Sequence, residues 1–445
     1  MMIDWPRAME CAQWAVTRPE ACAAAVAVTL REARCFRNRD FPLSPVPLLV
    51  QHAAVNPLVP LLERYAQLLG TVVRRYREEP ELRRWYGLGA GAERLVAADT
   101  RLGCVPWVCR LDGYLEPVTE RLRILENNAD APAGTLFTSR INDVVARVLD
   151  ASGIRTWELS PLTYLGDRFL RTLLKAASAT DAAVPGSIAV LQPAGQANRE
   201  SEEMVAEFRA AGFDAYLADP RDLTVTRGRA RFGSRPADLC WNKVNTVGWR
   251  AMAADEGLVA VWERALQDTA LVHVNPFGAR YVAENKLTLA VFAEPRFAGL
   301  FTEAERALAA TLLPWSRKVT REAVTQQGTV SLVSDLPDRQ SEYVLKAPYD
   351  IRGDGVTIGY EATRAQWHSA VAAAVTEGHV AQRRVIPARY PVVTAGSSQV
   401  DVMPVSLDTF LLDGQVAGFG SKASHHAKLN IFQGGQKLAV HVPVP

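Results

Sequence analysis

Apolar positions along this chain change period several times, and each change marks a different kind of element. Up to about residue 100 they recur at helical spacing: in PLVPLLERYAQLLGTVVRRYREEPELRRWY, Leu58, Leu61, Leu62 and Tyr65 share one face and the arginines and glutamates take the solvated one. The prolines of FPLSPVPLLV predict an extended connection before that helix. From Val108 the period falls to two. VCRLDGYL and LRILENNA read as strands joined by EPVTER, whose Glu-Pro start suits a turn, so the pattern predicts a hairpin. Helical spacing returns in TLFTSRINDVVARVLDAS, with Thr138 or Ser139 as the expected cap, and again in TYLGDRFLRTLLKAASA. The polar, proline-bearing TDAAVPGS then marks a domain boundary.

Between 187 and about 275 the order becomes strand, helix, strand. SIAVLQPAG, the amphipathic ANRESEEMVAEFRAAG stopped by Gly212, and FDAYLADPRDL predict a right-handed βαβ unit of a parallel sheet. Two short strands lead to a third, DLCWNKV. Its carboxyl tip is where an open α/β sheet places ligands, which makes Asn242, Lys243 and Asn245 candidate substrate contacts; the plain alternative is that they cap a loop. In VNPFGARYVAENKLTLAVF a turn at Asn275-Pro276 is followed by a helix start near Lys286. EYVLKAP and GVTIGYE form a second hairpin around the loop YDIRGDG. The helix RAQWHSAVAAAVTEG, the strand HVAQRRVIP, several strands in QVDVMPVSLDTFLLDGQVAGFGSKASHH and the closing AKLNIFQGGQK complete the chain. The mixture is α/β (α+β).

Composition narrows the picture mainly by exclusion. A chain of 445 residues is long enough for two or three domains. Its 50 basic and 48 acidic residues leave a formal charge of +2, so nothing global points to nucleic acid or to a membrane surface. No apolar run is long enough to span a bilayer, and MMIDWPRAMECAQW lacks the basic-then-apolar order of a signal peptide, which gives the expectation of a cytoplasmic protein. Six cysteines without a CxxC pair read as reduced, buried thiols, and the histidines show no HExxH spacing.

The candidate chemistry sits on the hairpins. Side chains alternate across a strand, so Arg110 and Asp112 share a face, as do Glu126 and Asn128; if the strands pair, all four converge. Two carboxylates and an amide oxygen are hard ligands suited to Mg²⁺, and an adjacent arginine can neutralise a transferring phosphoryl group. The same residues equally describe a solvated charged turn. A lysine in a first helical turn, as at Lys286, works against the helix dipole and invites an anionic partner, unless it is simply exposed. Gly353 and Gly355 allow close backbone approach to phosphate oxygens beside Lys346, or make an ordinary turn. The strand HVAQRRVIP offers its backbone to a flat purine. No GxGxxG follows a strand, and Asp219 is a weak echo of a ribose-binding acid, so nicotinamide chemistry is disfavoured; there is no GxSxG elbow and no Cys/His pair.

In order, RLD and ENNADAP, DLCWNKV, VNPFGARYVAENKLTLAVF, VLKAPYDIRGDGVTIG, VAQRRV, DGQVAGFGSKAS and NIFQGGQ resemble the circularly permuted ATP-grasp proteins, the group that includes glutathionylspermidine synthase-like amide ligases. In ordinary ATP-grasp enzymes the metal-ligand strands come last; here they precede the nucleotide lysines. The resemblance covers roughly residues 100 to 445. It implies a helical N-terminal region (1–100), the metal-ligand hairpin with its helices (101–182), a Rossmann-like pre-ATP-grasp substrate domain (183–276) and ATP-grasp nucleotide-binding subdomains (277–445).

The resemblance also implies roles. Asp112, Glu126 and Asn128 hold Mg²⁺ against the phosphates of ATP, with Asn127 either a further ligand or a spectator. Arg110 stabilises charge on oxygen, Lys286 and Lys346 contact phosphate, and the loop at Gly353 and Gly355 covers them. Gln382 and the backbone from Arg383 to Val385 hold adenine. Lys422 and Asn430 fall on the substrate side with Asn242 and Lys243; Lys422 stands where related sequences often carry arginine, and it lacks arginine's bidentate fork. The implied activity is ADP-forming carboxylate–amine ligation through an acyl phosphate, on small-molecule acids and amines, carrier-bound or peptidic ones included, in specialised biosynthesis. A phosphotransferase on the same ATP site and a degenerate binding module are the other two classes left open.

Overall fold

The computed structural model describes residues 1–33, 42–180, 185–196, 198–328, 330–350, 353–429 and 435–444. The first hundred residues are mainly helical: α1 (Trp5–Thr17), α2 (Pro19–Ala33), the two-residue strand β1 (Leu48–Leu49), α3 (His52–Val55), α4 (Val59–Glu78), α5 (Pro80–Tyr86) and α6 (Ala90–Ala98). Asp4 starts α1 by accepting from the Arg7 amide, with Pro6 in the first turn. Helix α4 buries Leu62, Tyr65, Ala66, Leu69, Val72, Val73 and Tyr76, the face its 3.6-residue period dictates.

The hairpin follows as β2 (Val108–Leu115) and β3 (Leu122–Asn128), antiparallel, with Arg110 opposite Asn128 and Asp112 opposite Glu126. A bulge after Asp112 leaves Leu125 without an opposite residue. Helix α7 (Phe137–Ala151) begins one residue earlier than its expected cap. Leu136 holds the cap position, and the Ser139 hydroxyl instead donates back to the Leu136 carbonyl, so neither Thr138 nor Ser139 caps it. Helix α8 spans Arg168–Ser178.

The βαβ reading of the middle segment agrees with the structure. β4 (Ser187–Leu191), α9 (Arg199–Ala210), β5 (Asp214–Ala218), the antiparallel trio β6 (Leu223–Thr226), β7 (Arg229–Phe232) and β8 (Arg235–Pro236), then β9 (Leu239–Asn242), α10 (Thr246–Met252), α11 (Glu256–Asp268) and β10 (Val272–Val274) follow in turn. Strands β10, β9, β4 and β5 lie side by side in that order, all parallel. Near Lys286 the chain makes a 3₁₀ turn, Lys286–Leu289, in place of the expected helix.

The last third builds a four-stranded sheet, a two-stranded pair and most of a five-stranded sheet. α12 (Glu303–Leu312), β11 (Ser316–Lys318), α13 (Leu332–Asp338), β12 (Tyr343–Lys346), β13 (Val356–Ile358), α14 (Arg364–Glu377) and β14 (Val380–Arg383) give an antiparallel sheet ordered β11-β14-β12-β13. After the pair β15 (Arg389–Val392) and β16 (Asp401–Pro404) come β17 (Asp408–Leu412), β18 (Gln415–Ala423), β19 (Gln436–Leu438) and β20 (Val440–His441). Strand β17 pairs with β2, so the early hairpin completes a five-stranded sheet with the order β19-β18-β17-β2-β3.

The helical N-terminal segment does not pack apart from the rest. One apolar cluster runs from Met2 through Tyr65, Leu111 and Tyr281 to Val442, and β1 pairs in parallel with β20. The Ile3 amide donates to the Glu120 carboxylate at the hairpin turn at 3.0 Å, and the Met2 amide points to the same group. Among the described residues no helix is long and apolar enough to cross a membrane.

Candidate active site

The inner face of the five-stranded sheet carries a row of polar side chains that crosses every strand. Glu126 and Asn128 stand on β3, Arg110 and Asp112 on β2, Asp408 on β17, Lys422 on β18 and Lys437 on β19, opposite Lys422. The register explains the convergence. Alternation puts i and i+2 on one face, and antiparallel pairing sets Arg110 against Asn128 and Asp112 against Glu126. All seven side chains line a cavity of about 990 Å³ between this sheet and the β11-β14-β12-β13 sheet, within the size range of small-molecule sites.

Ion pairs bind the row together. Arg110 grips Asp112 with Nε 2.5 Å from Oδ1 and Nη2 3.1 Å from Oδ2, and its Nη1 donates to the Ala133 carbonyl at 2.7 Å. The Asn128 amide donates to Asp112 Oδ1 at 2.9 Å. Lys422 bridges Asp112 Oδ2 at 2.9 Å and Asp408 Oδ2 at 3.0 Å. Lys286, buried just behind the cavity, lies 3.0 Å from Glu126 Oε1 and pairs also with Asp350. Lys346 donates to the Leu125 carbonyl at 2.7 Å, beside Glu126.

These neighbours set the charge states. Burial pushes the Asp112 carboxyl up, but the Arg110 guanidinium and the Lys422 ammonium outweigh it and hold the group well below the usual carboxylate range. Burial leaves Asp408 raised despite Lys422. For Lys286 the loss of solvent is overcome by Glu126 and Asp350, and its pKa rises. Lys346 shows the opposite balance: burial prevails over Glu126 and brings the ammonium down to about 8. Burial and the nearby Asp130 raise the Glu284 carboxyl well above its ordinary value.

The other residues singled out in the sequence are placed as follows. Gly353, with φ +78°, lines the cavity and its carbonyl accepts from Lys428 at 2.8 Å. Gly355 does not line it; a Cβ there would stand 2.9 Å from that of Ala347, so the residue keeps the β12–β13 connection tight. Gln382, Arg383 and Val385 line the wall, with Gln382 Nε2 donating to Ser316 Oγ at 3.1 Å. The Arg383 and Arg384 amides already donate to the Trp315 and Glu342 carbonyls, each at 2.8 Å.

On the expected substrate side the structure separates the set. Lys243 reaches the cavity, but its ammonium is held by Glu200 Oε2 at 2.8 Å and the Pro132 carbonyl at 2.7 Å, latching the ENNADAP segment to the parallel sheet. Asn242 is fully buried on the inner strand β9, bonded to the Trp249 indole at 3.0 Å and to His273 at 2.8 Å, and does not line the cavity. Asn245 lines the cavity and also caps α10, accepting from the Gly248 amide at 2.8 Å. Asn430 lies outside the described residues. Asn127 points away from the cavity, accepting from the Tyr65 hydroxyl at 3.0 Å and donating to the Ala283 carbonyl at 3.3 Å, so it is a spectator to the row.

Sequence reasoning missed Asp408, Lys437, Asp350 and Glu284. The first two had a weak local signal, since polar residues interrupt apolar alternation in SLDTFLL and QKLAVHV. Asp350 and Glu284 carry no period at all; only packing brings them to Lys286 and Asp130.

No family model matches the chain, and none of the curated proteins matches it. Among solved structures, it is similar over 95% of its length, and 96% of the other chain, to a glutathione synthetase-like effector from Globodera pallida in the apo form, with a TM-score of 0.61 at 12% identity. A candidate gamma-glutamylcysteine synthetase from Methylobacillus flagellatus gives 0.43 at 13% identity, covering 85% of this chain and 88% of that one. A RimK-domain ATP-grasp protein from Sphaerobacter thermophilus gives 0.29 at 17% identity, covering 54% and 91%. The first likeness establishes a shared fold; the other two are too loose to place residues. The chain thus shares the mixed α/β fold of the glutathione synthetase-like effector.

Proposed function

We propose that the protein is an ATP-dependent carboxylate–amine ligase, a circularly permuted ATP-grasp enzyme that forms an amide through an acyl phosphate and releases ADP and phosphate. The observation that carries this reading is the meeting of Arg110, Asp112, Glu126 and Asn128 with Lys346, distant in sequence, around one cavity, with Lys286 paired to Glu126 just behind it.

The residues present fit a magnesium nucleotide. Asp112, Glu126 and Asn128 are hard oxygen donors, while Asp350 Oδ2 and Asp408 Oδ1 are buried oxygens with no hydrogen-bond partner among the described residues. Each of the two carboxylate ligands is now neutralised by a cation of the site, Asp112 by Arg110 and Lys422, Glu126 by Lys286. Asp112, Glu126 and Asn128 would hold the metal, which would neutralise phosphate charge, while Lys286 and Lys346 would face the phosphate oxygens.

The chain's own contribution is positioning and fixed charge. Lys286 and Lys346 hold phosphates, the Gly353 loop covers them, and Gln382 with the Arg383–Val385 backbone lines the adenine side. An oxygen of the substrate carboxylate attacks the γ-phosphorus and the bond to ADP breaks. The amine nitrogen then attacks the acyl carbon, phosphate leaves and the nitrogen loses its proton. Arg110 faces the oxygens on which charge collects in both steps. The acid and amine are small molecules, free or carried on a peptide or protein. The test is ADP release over a panel of amino acids and polyamines, with and without the amine, together with the melting temperature in ATP·Mg²⁺. Acid-and-amine-dependent ADP release and a rise in Tm are expected; ADP release that ignores the amine would identify a phosphotransferase, and no thermal response would identify a degenerate module.

A further inference from the structure

The polar row does not end where the proposed nucleotide chemistry ends. Two strands beyond Asp408, at the edge of the sheet, Lys437 stands directly across from Lys422 and lines the same cavity. Lys422 is satisfied by Asp112 and Asp408. Lys437 is not: no carboxylate or carbonyl among the described residues pairs with its ammonium, and Asp408 reaches it only at longer range. Burial first, and the adjacent Lys422 second, bring it down to about 8, so its charged form is short of a counter-charge.

Arg389, His426 and Lys428 line the same cavity. Neighbouring strands lie about 4.8 Å apart, so β19 stands roughly 19 Å, four strand spacings, from β3, where Lys346 meets the Leu125 carbonyl. Lys437 therefore enters the cavity from the sheet edge opposite β3. An oxyanion bound there lies beyond Arg110 and Asp112, where the reacting carboxylate belongs.

We propose that Lys437, beside Lys422, anchors a second anionic group of the acid substrate, so that the acid carries a carboxylate or comparable oxyanion besides the one that reacts. This rests on the ligase reading for the identity of the ligand as an acid substrate. It makes the charge pattern of the cavity a specificity device, since an acid lacking the second anion leaves a half-buried cation uncompensated.

The experiment titrates wild type, Lys437→Met and Lys437→Arg by calorimetry with succinate, glutarate and L-glutamate against the monoanion butyrate, and separately with a non-hydrolysable ATP analogue and Mg²⁺. Wild type is expected to bind at least one of the two-carboxylate acids tenfold or more tighter than butyrate. Lys437→Met should erase that preference, Lys437→Arg should keep most of it, and nucleotide affinity should stay within twofold. The proposal is overturned if wild type shows no preference for two carboxylates, if Lys437→Met retains it while its far-ultraviolet spectrum is native, or if the loss falls on the nucleotide, which would make the lysine a phosphate contact. Failure of wild type to bind the nucleotide sinks the ligase reading, while the acid titrations still decide whether Lys437 selects a second anion.

Discussion

The Lys286 ammonium, 1% exposed, lies 3.0 Å from the Glu126 carboxylate and shares its charge with Asp350. The two acids differ in burial, Glu126 being 27% exposed and Asp350 5%, and that difference makes a prediction. Lys286→Met strands Asp350, whose second oxygen already lacks a partner, and should lower unfolding free energy by about 3 kcal/mol. Glu126→Gln leaves the Lys286–Asp350 pair intact and should cost about 1 kcal/mol or less while abolishing ADP release. Urea denaturation and a coupled ADP assay on the two variants check the contrast; equal destabilisation would place the structural weight on the wrong acid.

Arg110 holds Asp112 through two nitrogens and the Ala133 carbonyl through a third, a geometry only the guanidinium fork provides. Arg110→Lys keeps the charge and loses the fork. Turnover should fall about 100-fold or more with Tm nearly unchanged, as for removal of a donor to a developing oxyanion. Retention of activity in the lysine variant would assign Arg110 to structure.

Asn127 sits between two proposed metal ligands and yet faces Tyr65. Tyr65→Phe leaves its buried amide oxygen without that donor and should cost about 1 to 2 kcal/mol in denaturant unfolding. The Mg²⁺ concentration giving half-maximal ADP release should not move. A shift in that value would show that the back of the strand tunes its front.

His441 supplies the pH dependence. It is fully buried on β20, with Nε2 bonded to the Asn142 carbonyl at 2.9 Å, and burial pushes its pKa from 6.5 down to about 4. The unfolded chain takes up this proton near pH 6.5 and the folded chain only near pH 4. Stability from the neutral ring is thus full above pH 6.5 and lost as pH falls to about 4, by about 3 kcal/mol. His441→Asn should flatten that part of the stability curve, measured by urea unfolding between pH 7 and pH 4.

Much of the site was legible because its parts are local. Period-two alternation put Arg110 and Asp112, and Glu126 and Asn128, on shared faces, and the strand-helix-strand order predicted the parallel sheet that β4, β5, β9 and β10 form. Lys286 was open to two readings from sequence, an exposed residue or one awaiting an anion; the anions are Glu126 and Asp350. The strand-tip residues Asn242 and Asn245 show the limit. Polar residues at a carboxyl tip serve a ligand or a cap equally well in sequence; here packing against Trp249 and His273 removes Asn242 from the cavity, while Asn245 caps α10 and lines the cavity as well.

What this sequence determined by itself is which residues share a face, since that follows from backbone geometry within one strand or helix. What only the tertiary structure decided is which faces meet. Strand β2 lies between β3 and β17 although nearly three hundred residues separate it from the latter, and that pairing carries Asp408, Lys422 and Lys437 into line with the hairpin. Burial of the sheet's apolar face against the N-terminal helices fixes the order of the strands, and a polar side chain acquires its partners from that order rather than from its own neighbours in the chain.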